Sequence, residues 1–264
     1  MRNTDAFDSV IEDSQEARDF LQDNNEFHDT PLINSSLLGD EVKVRELLAA
    51  STLETVNQEN VFGFTALTRA AMAGAASIVQ MLLFHGARVD HPDQEGMTPL
   101  IWATTRQHLD VMTILLANGA NPNAKSRHGN SALHEAALRG YDKAIDLLVS
   151  RDAVCDPSNH QGWTPLMLAL RKKQYSTAWR LIGIGASVDS TERYGVTVLM
   201  LAVMAGDHHI VSELLRRGAD PDAVSVRGIT ALKEAESRQH GIIAAILRNA
   251  SLRKERKLHP SSSF

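Results

Sequence analysis

The chain has a single cysteine, Cys155, and few aromatic residues, which make up 5% of its 264 positions. One cysteine excludes an internal disulfide framework and a cysteine-rich metal site. No run of about 18 apolar residues occurs, so we expect no membrane span. The N-terminal residues MRNTDAFDSVIEDSQEARDF have acids where a secretory signal has an apolar core. These absences predict an intracellular protein of a reducing compartment, and we expect it to be cytoplasmic.

Charge is unevenly spread, although the net charge is only −5. Residues 1–29 carry nine Asp or Glu against two Arg, and residues 248–264 carry five Lys or Arg against one Glu. We interpret 1–29 as an acidic N-terminal segment and 248–264 as a basic, flexible tail. Apolar residues near helical spacing predict an amphipathic helix over 5–22. Three roles stay open for it: capping the fold, covering its binding face, or no ordered role.

A glycine recurs every 33 residues, followed two positions later by Thr or Ser and four positions later by Leu. The glycines are Gly63, Gly96, Gly129, Gly162, Gly195 and Gly228. A fixed period of this length is typical of a solenoid, in which each unit buries its apolar face against its neighbours. The period therefore predicts one array of stacked units.

The unit that begins at Gly96 contains the signals for two helices. Thr98 can cap a helix that starts at Pro99, because proline lacks the N–H that a first turn leaves unused. Val111, Ile114 and Leu115, at three- and four-residue spacing, predict a second helix. Gly119 can take the left-handed conformation that ends it.

The repeated segments GFTALTRAA (63–71), GMTPLIWAT (96–104), GNSALHEAA (129–137), GWTPLMLAL (162–170), GVTVLMLAV (195–203) and GITALKEAE (228–236) resemble ankyrin repeats. The second-helix ends LLANGA (115–120) and LLRRGA (214–219) fit the same family. The resemblance implies an all-α solenoid of helix-turn-helix units joined by short β-hairpin loops. It covers six repeats over 58–247 and, more weakly, a degenerate N-terminal capping repeat over 30–57.

Three positions depart from the family pattern, and one retains a family residue that the other repeats lack. Asp152 replaces a helix-ending glycine and Lys173 replaces the glycine between two helices, each at a small expected cost in αL geometry. Val198 stands where proline is commonest. The family's histidine survives as His134, for which the resemblance implies a hydrogen bond in the turn.

No catalytic constellation is visible. His208 and His209 are adjacent, so they face different sides of a helix, and the other histidines lack acids or cysteines at ligand spacing. Neither a P-loop nor a dinucleotide-binding glycine motif occurs. Cys155 has no evident base partner. We predict a non-enzyme with no cofactor and no metal site.

In ankyrin arrays, the hairpin tips and the exposed side of the first helices line a concave groove that binds partners. Carried over to this chain, the resemblance implies a partner-binding set of basic, aromatic and apolar residues. These are Phe62, Phe64, Met97, Arg106, Arg127, His128, Arg139, Trp163, Arg171, Lys172, Arg193, Tyr194, Arg227 and Ile229. Interface hot spots are enriched in Trp, Tyr and Arg.

A basic, aromatic groove predicts a protein partner with an acidic or partly apolar surface. The chain is expected to be a monomeric, non-catalytic interaction scaffold. An alternative is an inhibitor or immunity-type protein that plugs one cognate enzyme. A second alternative is an adaptor associated with nucleic acid, against which the pI of about 6.1 argues.

Overall fold

The computed structural model describes residues 28–258, with side chains described as far as Arg256. The helix predicted over 5–22, the remainder of the acidic segment up to residue 27, and residues 259–264 lie outside the described residues. The chain divides into two compact units, Met1–Asn121 and Pro122–Phe264.

The first unit contains seven helices within its described residues. They are α1 Pro31–Leu38, α2 Glu41–Ala49, α3 Leu53–Val56, α4 Ala66–Ala73, α5 Ala76–Phe84, α6 Pro99–Thr105 and α7 Leu109–Ala117. Helices α1, α4 and α6 pack in one row, and α2, α5 and α7 pack in a second row behind it. The predicted capping repeat at 30–57 thus contains the helix pair α1 and α2, with the short α3 after it.

The second unit contains eight helices up to residue 258. They are α8 Ala132–Arg139, α9 Asp142–Val149, α10 Pro165–Arg171, α11 Tyr175–Gly183, α12 Val198–Ala205, α13 His208–Arg216, α14 Ala231–Ser237 and α15 Gly241–Leu258. The first helices α8, α10, α12 and α14 pack in one row. The loops of the described region contain isolated bridges, Thr191 with Thr197 and Val224 with Thr230, rather than strands.

Capping threonines fix where the first helices begin. The Thr98 hydroxyl accepts the Ile101 N–H at 3.3 Å, and α6 starts at Pro99, as the sequence predicts. Equivalent bonds are made by Thr65, Thr164 and Thr197. Because an N-cap side chain satisfies one of the free N–H groups of the first turn, the repeated Thr sets the start of each unit.

The core is built from the repeated apolar positions. Leu100, Ala103 and Leu115 are fully buried in the first unit, and Leu166, Ala169 and Leu181 occupy the same positions in the second. The small alanine lets neighbouring first helices approach closely, and the leucines fill the space between the two rows. The 33-residue period therefore marks residues whose burial depends on the adjacent repeat.

Left-handed backbone occurs at Asp152 and Lys173, with φ of 63° and 59°, as the missing glycines led us to expect. Gln107 and Gln239 occupy the position of Lys173 two repeats (66 residues) before and after it, and have φ of 62° and 60°. At the helix-ending position, Gly119 has φ of 85°, in agreement with its predicted role. The left-handed backbone is thus present at these positions even where the residue is not glycine.

The helix α15 continues through residue 248 to Leu258, so residues 248–258 of the segment that we interpreted as a flexible tail are helical. Side chains of the same unit hold this extension. Ser251 donates to the Asp222 carboxylate at 2.6 Å, Lys254 pairs with Asp222 at 3.2 Å, and Arg248 pairs with Glu236 at 2.6 Å. Two cations of this segment, Arg248 and Lys254, are therefore paired with acids of the last repeat.

Candidate functional site

Each loop that carries a period glycine is a five-residue turn organised by one side chain. Three residues before the glycine, a side-chain oxygen accepts backbone N–H groups from the loop. Asn159 accepts those of Gln161 and Trp163 at 3.0 Å, and Glu192 accepts those of Tyr194 and Val196 at 2.9 and 3.1 Å. The same position holds Asn60, Asp93, Ser126 and Ser225.

These six loop-organising residues were missed by the sequence reasoning. Their shared signal is a hydrogen-bond acceptor at 33-residue spacing, although the residue type varies among Asn, Asp, Ser and Glu. Asn60, Asp93 and Glu192 are at least nine-tenths buried. Because each satisfies backbone donors inside its own turn, the two residues that follow it, the tip residues, are held in a fixed position.

Backbone hydrogen bonds also join neighbouring loops within each unit. In the first unit, Gln94 N–H donates to Phe62 O at 2.9 Å. In the second unit, His160 N–H donates to His128 O at 3.1 Å, and Val226 N–H donates to Tyr194 O at 2.9 Å. These bonds place the tip residues of one loop beside those of the next.

The predicted aromatic residues of the first unit form a cluster that includes a residue we did not predict, Trp102. The Phe64 ring lies 6.3 Å from the Phe62 ring and 6.0 Å from the Trp102 ring. Phe64 is buried, whereas Phe62 and Trp102 are half-buried. Phe64 therefore offers a partner little surface and supports its neighbours instead. Trp102 escaped the sequence reasoning because it lies on the helix and not beside the glycine.

A buried arginine completes this cluster. The Arg69 guanidinium lies 4.3 Å from the Phe64 ring centre and 3.6 Å from the Asp29 carboxylate. Burial lowers the pKa of Arg69, and the Asp29 charge opposes that shift. Asp29 also accepts a hydrogen bond from Asn60. Asp29, two positions before α1, is thus fixed to the first loop of the repeats.

Asp93 connects the loop with the aromatic cluster. Its carboxylate accepts the Trp102 indole N–H at 2.7 Å and the Met97 N–H at 2.9 Å. Burial raises the pKa of Asp93, while the hydrogen bond from Trp102 opposes the rise. The predicted site residue Met97 is half-buried beside this carboxylate. Arg106 is half-buried where α6 ends.

In the second unit, two predicted arginines lie over two predicted aromatic rings. The Arg171 guanidinium carbon is 4.9 Å from the Trp163 ring centre, and that of Arg193 is 5.1 Å from the Tyr194 ring centre. Tyr194 is 54% exposed and Trp163 is half-buried. Stacking of a cation on an aromatic face holds the side chain in place.

The remaining predicted residues of the second unit differ in their surroundings. Arg127, His128 and Arg227 are exposed at loop tips, and Lys172 is exposed where α10 ends. Ile229 is half-buried. Arg139 lies 3.8 Å from the Glu135 carboxylate at the end of α8, and its buried Nε has no hydrogen-bond partner among the described residues.

The two units carry opposite charge. Residues 1–121 contain 7 Lys or Arg against 18 Asp or Glu, a net −11, and residues 122–264 contain 20 against 14, a net +6. Cations on the second helices are largely paired with acids, as Arg180 is with Asp146 and Arg217 with Glu213. Hydrogen bonds from Arg216 and Arg217 lower the pKa of Glu213 to about 2.

The cations near the loop tips of the second unit are not paired in this way. Five of them make no ion pair with another described side chain: Arg127, Arg171, Lys172, Arg193 and Arg227. Five cations without an ion pair among the described residues therefore lie at the loop tips of this unit and at the end of a first helix, α10.

His134 serves the fold. Its Nδ1 accepts the Ser131 N–H at 3.1 Å, and its Nε2 donates to the Trp163 carbonyl at 3.1 Å. The hydrogen bond implied by the resemblance is therefore confirmed. Burial lowers the pKa of His134 to about 4, despite the favourable Trp163 bond. Such a neutral histidine connects two repeats.

Other groups show no arrangement for chemistry. Among the described residues, no three His, Cys, Asp or Glu side chains lie where they could hold a metal ion. Cys155 is half-buried, and burial, together with the Asp156 charge, raises the pKa of its thiol. A raised pKa reduces the thiolate fraction and hence the reactivity. No helix within 28–258 has the length and apolar character to cross a membrane.

A cleft of about 880 Å³ lies between α13 and α15. We attribute the cleft to a smaller side chain at one repeat position. Arg217 donates to the Ile182 carbonyl at 2.7 Å between α11 and α13, whereas the residue one repeat later is Ala250. Two of the three cations that line the cleft, Arg216 and Lys254, are already paired with acids, and the third is Arg253. The cleft therefore shows less capacity for an acidic ligand than the loop tips.

Comparison with known proteins agrees with the geometry. A family model described as ankyrin repeats (3 copies) matches residues 3–93, 39–126, 90–159, 124–192 and 173–256. The chain belongs to the ankyrin-repeat family.

Two solved ankyrin-repeat domains are similar over most of the chain. The human ASB11 ankyrin repeat domain has a TM-score of 0.72 at 24% identity, covering 84% of this chain and 98% of that domain. The ankyrin repeat domain of Bcl-3, a unique member of the IkappaB protein family, has a TM-score of 0.73 at 27% identity, covering 83% and 98%. The ankyrin fold predicted from the repeated motifs is confirmed.

A shorter match is to an enzyme. A stretch of 65 residues is 42% identical to glycerophosphocholine phosphodiesterase GDE1 of Candida albicans, but it spans 25% of this chain and 6% of that protein. So small a share carries no phosphodiesterase chemistry to this chain. Ankyrin-repeat domains are generally non-catalytic and generally serve as protein–protein interaction modules.

Proposed function

We propose that this protein is a non-catalytic scaffold that binds a protein partner with an acidic or partly apolar surface. The contact surface consists of the loop tips and the adjoining ends of the first helices, where the predicted site residues lie. One observation carries the proposal: cations without an ion pair among the described residues lie beside aromatic rings in the second unit. Arg193 lies over exposed Tyr194, and Arg171 lies over half-buried Trp163.

Charge and burial support this choice of surface. Tyr194 is exposed although its backbone N–H and carbonyl are both fixed by hydrogen bonds. A rigid, exposed aromatic side chain loses little conformational entropy when it binds. The unpaired arginines beside it attract an acidic surface and speed its encounter. In the first unit, half-buried Phe62, Met97 and Trp102 offer apolar contact area.

We further propose an intracellular location and a monomeric state in the absence of the partner. The single cysteine supports a reducing compartment, because a chain with one cysteine has no internal disulfide. Sedimentation of the purified chain tests the oligomeric state, and a dimer at micromolar concentration contradicts the monomer.

Affinity capture with matched variants tests the function. The bait proteins are the wild type, Tyr194→Ala, Trp163→Ala/Tyr194→Ala and a control, Trp179→Ala/Phe84→Ala. The control removes aromatic residues that are exposed on second helices, where Phe84 is 88% and Trp179 is 41% exposed. We expect the control to keep the specific partner and the tip variants to lose it.

Because Trp163 is half-buried, its loss can also destabilise the fold, so thermal unfolding accompanies each capture. Tyr194→Ala removes an exposed ring and leaves the fold intact, which makes it the decisive variant. Recovery of every partner in equal amount by Tyr194→Ala, by the double tip variant and by the wild type contradicts the proposed surface.

A further inference from the structure

Two arginine–aromatic pairs of the second unit have their rings on consecutive loops. The Arg171 guanidinium, at the end of α10, lies over the Trp163 ring at 4.9 Å, and the Arg193 guanidinium lies over the Tyr194 ring at 5.1 Å. The guanidinium group is planar, so stacking covers its face and leaves the N–H donors at its edge for an acceptor. Carboxylates accept two such donors side by side, and charged hydrogen bonds of this kind are among the strongest in proteins.

Backbone hydrogen bonds hold the two pairs in register. The Arg193 N–H donates to the Gln161 carbonyl at 3.0 Å, and Gln161 lies in the same five-residue turn as Trp163. The Trp163 N–H is bound by Asn159 at 3.0 Å, and its carbonyl is bound by His134 at 3.1 Å. Arg193 and the Trp163 residue below Arg171 are therefore held in fixed turns, and Arg171 ends α10, which reduces the entropy that a ligand has to remove.

Apolar surface continues the row on the next loop. The Val226 N–H donates to the Tyr194 carbonyl at 2.9 Å, and the Val226 side chain is 76% exposed. Tyr194 is 54% exposed. The row thus presents, in order along consecutive loops, a stacked arginine, a second stacked arginine with its tyrosine, and a valine.

Acids do not neutralise this row. The eight tip residues of the second unit contain no Asp or Glu: Arg127, His128, His160, Gln161, Arg193, Tyr194, Val226 and Arg227. The Glu192 carboxylate lies next to Arg193 in sequence, but it is buried and accepts the N–H groups of Tyr194 and Val196. It holds the turn and makes no ion pair with Arg193.

We propose that Arg171 and Arg193 form a recognition site for an extended acidic segment of a protein partner, with one carboxylate bound at each guanidinium. Tyr194 and Val226 contact apolar residues of the same segment. This assignment rests on the function proposed above and narrows it to one kind of ligand at one row of loops.

The stacking favours an acidic peptide over single-stranded nucleic acid. Non-specific binding of single strands uses aromatic faces on which bases stack. Here the guanidinium groups of Arg171 and Arg193 already cover a face of Trp163 and of Tyr194. What stays available is the donor edge of each guanidinium and the exposed rim of each ring, which suits carboxylates and aliphatic side chains.

Fluorescence anisotropy with the full chain and three labelled probes tests the site. The probes are a 12-residue peptide of alternating Glu and Leu, the same peptide with Gln in place of Glu, and a 12-nucleotide oligo-dT. We expect the Glu peptide to bind the wild type, and Arg171→Gln/Arg193→Gln to weaken that binding at least tenfold. The control Arg253→Gln/Arg256→Gln changes the charge equally on α15, and we expect it to weaken binding less than threefold.

A lysine variant separates stacking from charge. Arg171→Lys/Arg193→Lys keeps both charges but loses the planar donor edge, so we expect it also to bind the Glu peptide several-fold more weakly than the wild type. Equal affinity of the lysine variant and the wild type overturns the assignment to stacked guanidinium groups. Equal loss of affinity in the two glutamine variants shows that net charge alone is responsible and overturns it as well.

The same experiment distinguishes two other possible ligands of the Arg171 and Arg193 site. Tighter binding of oligo-dT than of the Glu peptide, with the same arginines required, overturns the choice of a protein ligand. If the Glu peptide binds only after deletion of residues 1–27, the occupant is the acidic segment of this chain, and the assignment to a partner is wrong.

Failure of this inference is distinguishable from failure of the proposed function. If the Glu peptide does not bind but Tyr194→Ala still loses the captured partner, the two-carboxylate site is wrong and the interaction surface stands. If peptide binding requires both arginines while capture is unaffected by Tyr194→Ala, the site stands and the proposed role of the tips in the scaffold is wrong.

Discussion

The Nε2 atom of His134 lies 3.1 Å from the carbonyl oxygen of Trp163, 29 residues further along the chain. His134 is buried at the start of α8, and Trp163 lies in the loop before α10. The bond therefore connects one repeat with the next and contains a titratable group.

This relationship predicts a contribution of His134 to acid sensitivity. Because burial lowers its pKa from 6.5 to about 4, the folded state favours the neutral ring. The stabilising contribution is fully present above pH 6.5 and is lost as the pH falls from 6.5 towards 4. A shift of this size corresponds to a loss of about 3 kcal/mol in the free energy of unfolding.

Denaturant unfolding of the wild type and His134→Thr between pH 7.5 and 4 measures the effect. Thr68 is a natural model for the variant, since its hydroxyl meets the Thr65 hydroxyl at 3.1 Å in the same position of an earlier repeat. We expect the variant to be less stable at pH 7.5 by about 1 kcal/mol, for the lost hydrogen bonds, and the difference to shrink or reverse towards pH 4. Parallel curves for the two proteins contradict the role of His134.

The period glycines differ in what a side chain would meet. At Gly129, a Cβ would lie 2.8 Å from the backbone nitrogen of His160, while at Gly228 nothing lies within 4 Å. Both have positive φ, 80° and 70°. We expect Gly228→Ala to cost about 1 kcal/mol, for the left-handed backbone, and Gly129→Ala to cost about 3 kcal/mol, because His160 must also move.

Urea unfolding of the two alanine variants checks this ordering. The mutations are chemically identical and lie in the same unit, so each is the control of the other. Equal costs for the two would show that close approach of the next loop is not what requires a glycine at position 129.

Lys173 is predicted to store backbone strain. Its φ is 59°, and Gly140 and Gly206 occupy the corresponding position one repeat before and after it. We expect Lys173→Gly to raise the free energy of unfolding by about 0.5 kcal/mol. Glycine removes the left-handed strain, and this gain exceeds the cost of its greater entropy in the unfolded chain. Its neighbour Lys172 has φ of −91°, so Lys172→Gly is expected to destabilise. A decrease in melting temperature for Lys173→Gly would contradict the strain.

The end of α15 contacts acids of the loop between α13 and α14. Bonds from Lys254 lower the pKa of Asp220, and Ser251 and Lys254 both contact Asp222. We expect Asp220→Asn/Asp222→Asn to raise amide hydrogen exchange in residues 248–258 and to change global stability by less than about 1 kcal/mol, because the pairs are at the surface. The control is Asp189→Asn, one repeat earlier. Unchanged exchange in 248–258 would show that the helix needs no such contacts.

The fold could be predicted from the sequence because the 33-residue period reports burial directly. Leu100 and Leu166 are both core residues because they occupy the same repeat position. Thr98 caps the start of a helix, and a Thr at the same position of other repeats does so too. Motifs of this kind are local, so they can be recognised in one repeat without knowing how it packs against its neighbours. The helical stretch after residue 248 could not be predicted, because its contacts reach residues about 30 positions away, such as the hydrogen bond that Ser251 donates to Asp222.

The candidate site was predictable in position but not in detail. The glycine register located Tyr194 and Arg193 at a loop tip, yet it could not show that Phe64 is buried under Arg69. It also missed Trp102 and Val226, because their roles depend on contacts with neighbouring loops and helices. Side-chain packing between repeats is a property of pairs of units, and a single repeat does not contain it.

Site-specific photo-crosslinking tests the central claim most directly. A benzoylphenylalanine residue replaces Tyr194 at a loop tip or Trp179 on a second helix; the two native side chains are 54% and 41% exposed. The account predicts that, with the captured partner present, the probe at Tyr194 crosslinks to it and the probe at Trp179 does not. Crosslinking from Trp179 with none from Tyr194 would place the partner on the second-helix surface and contradict the account.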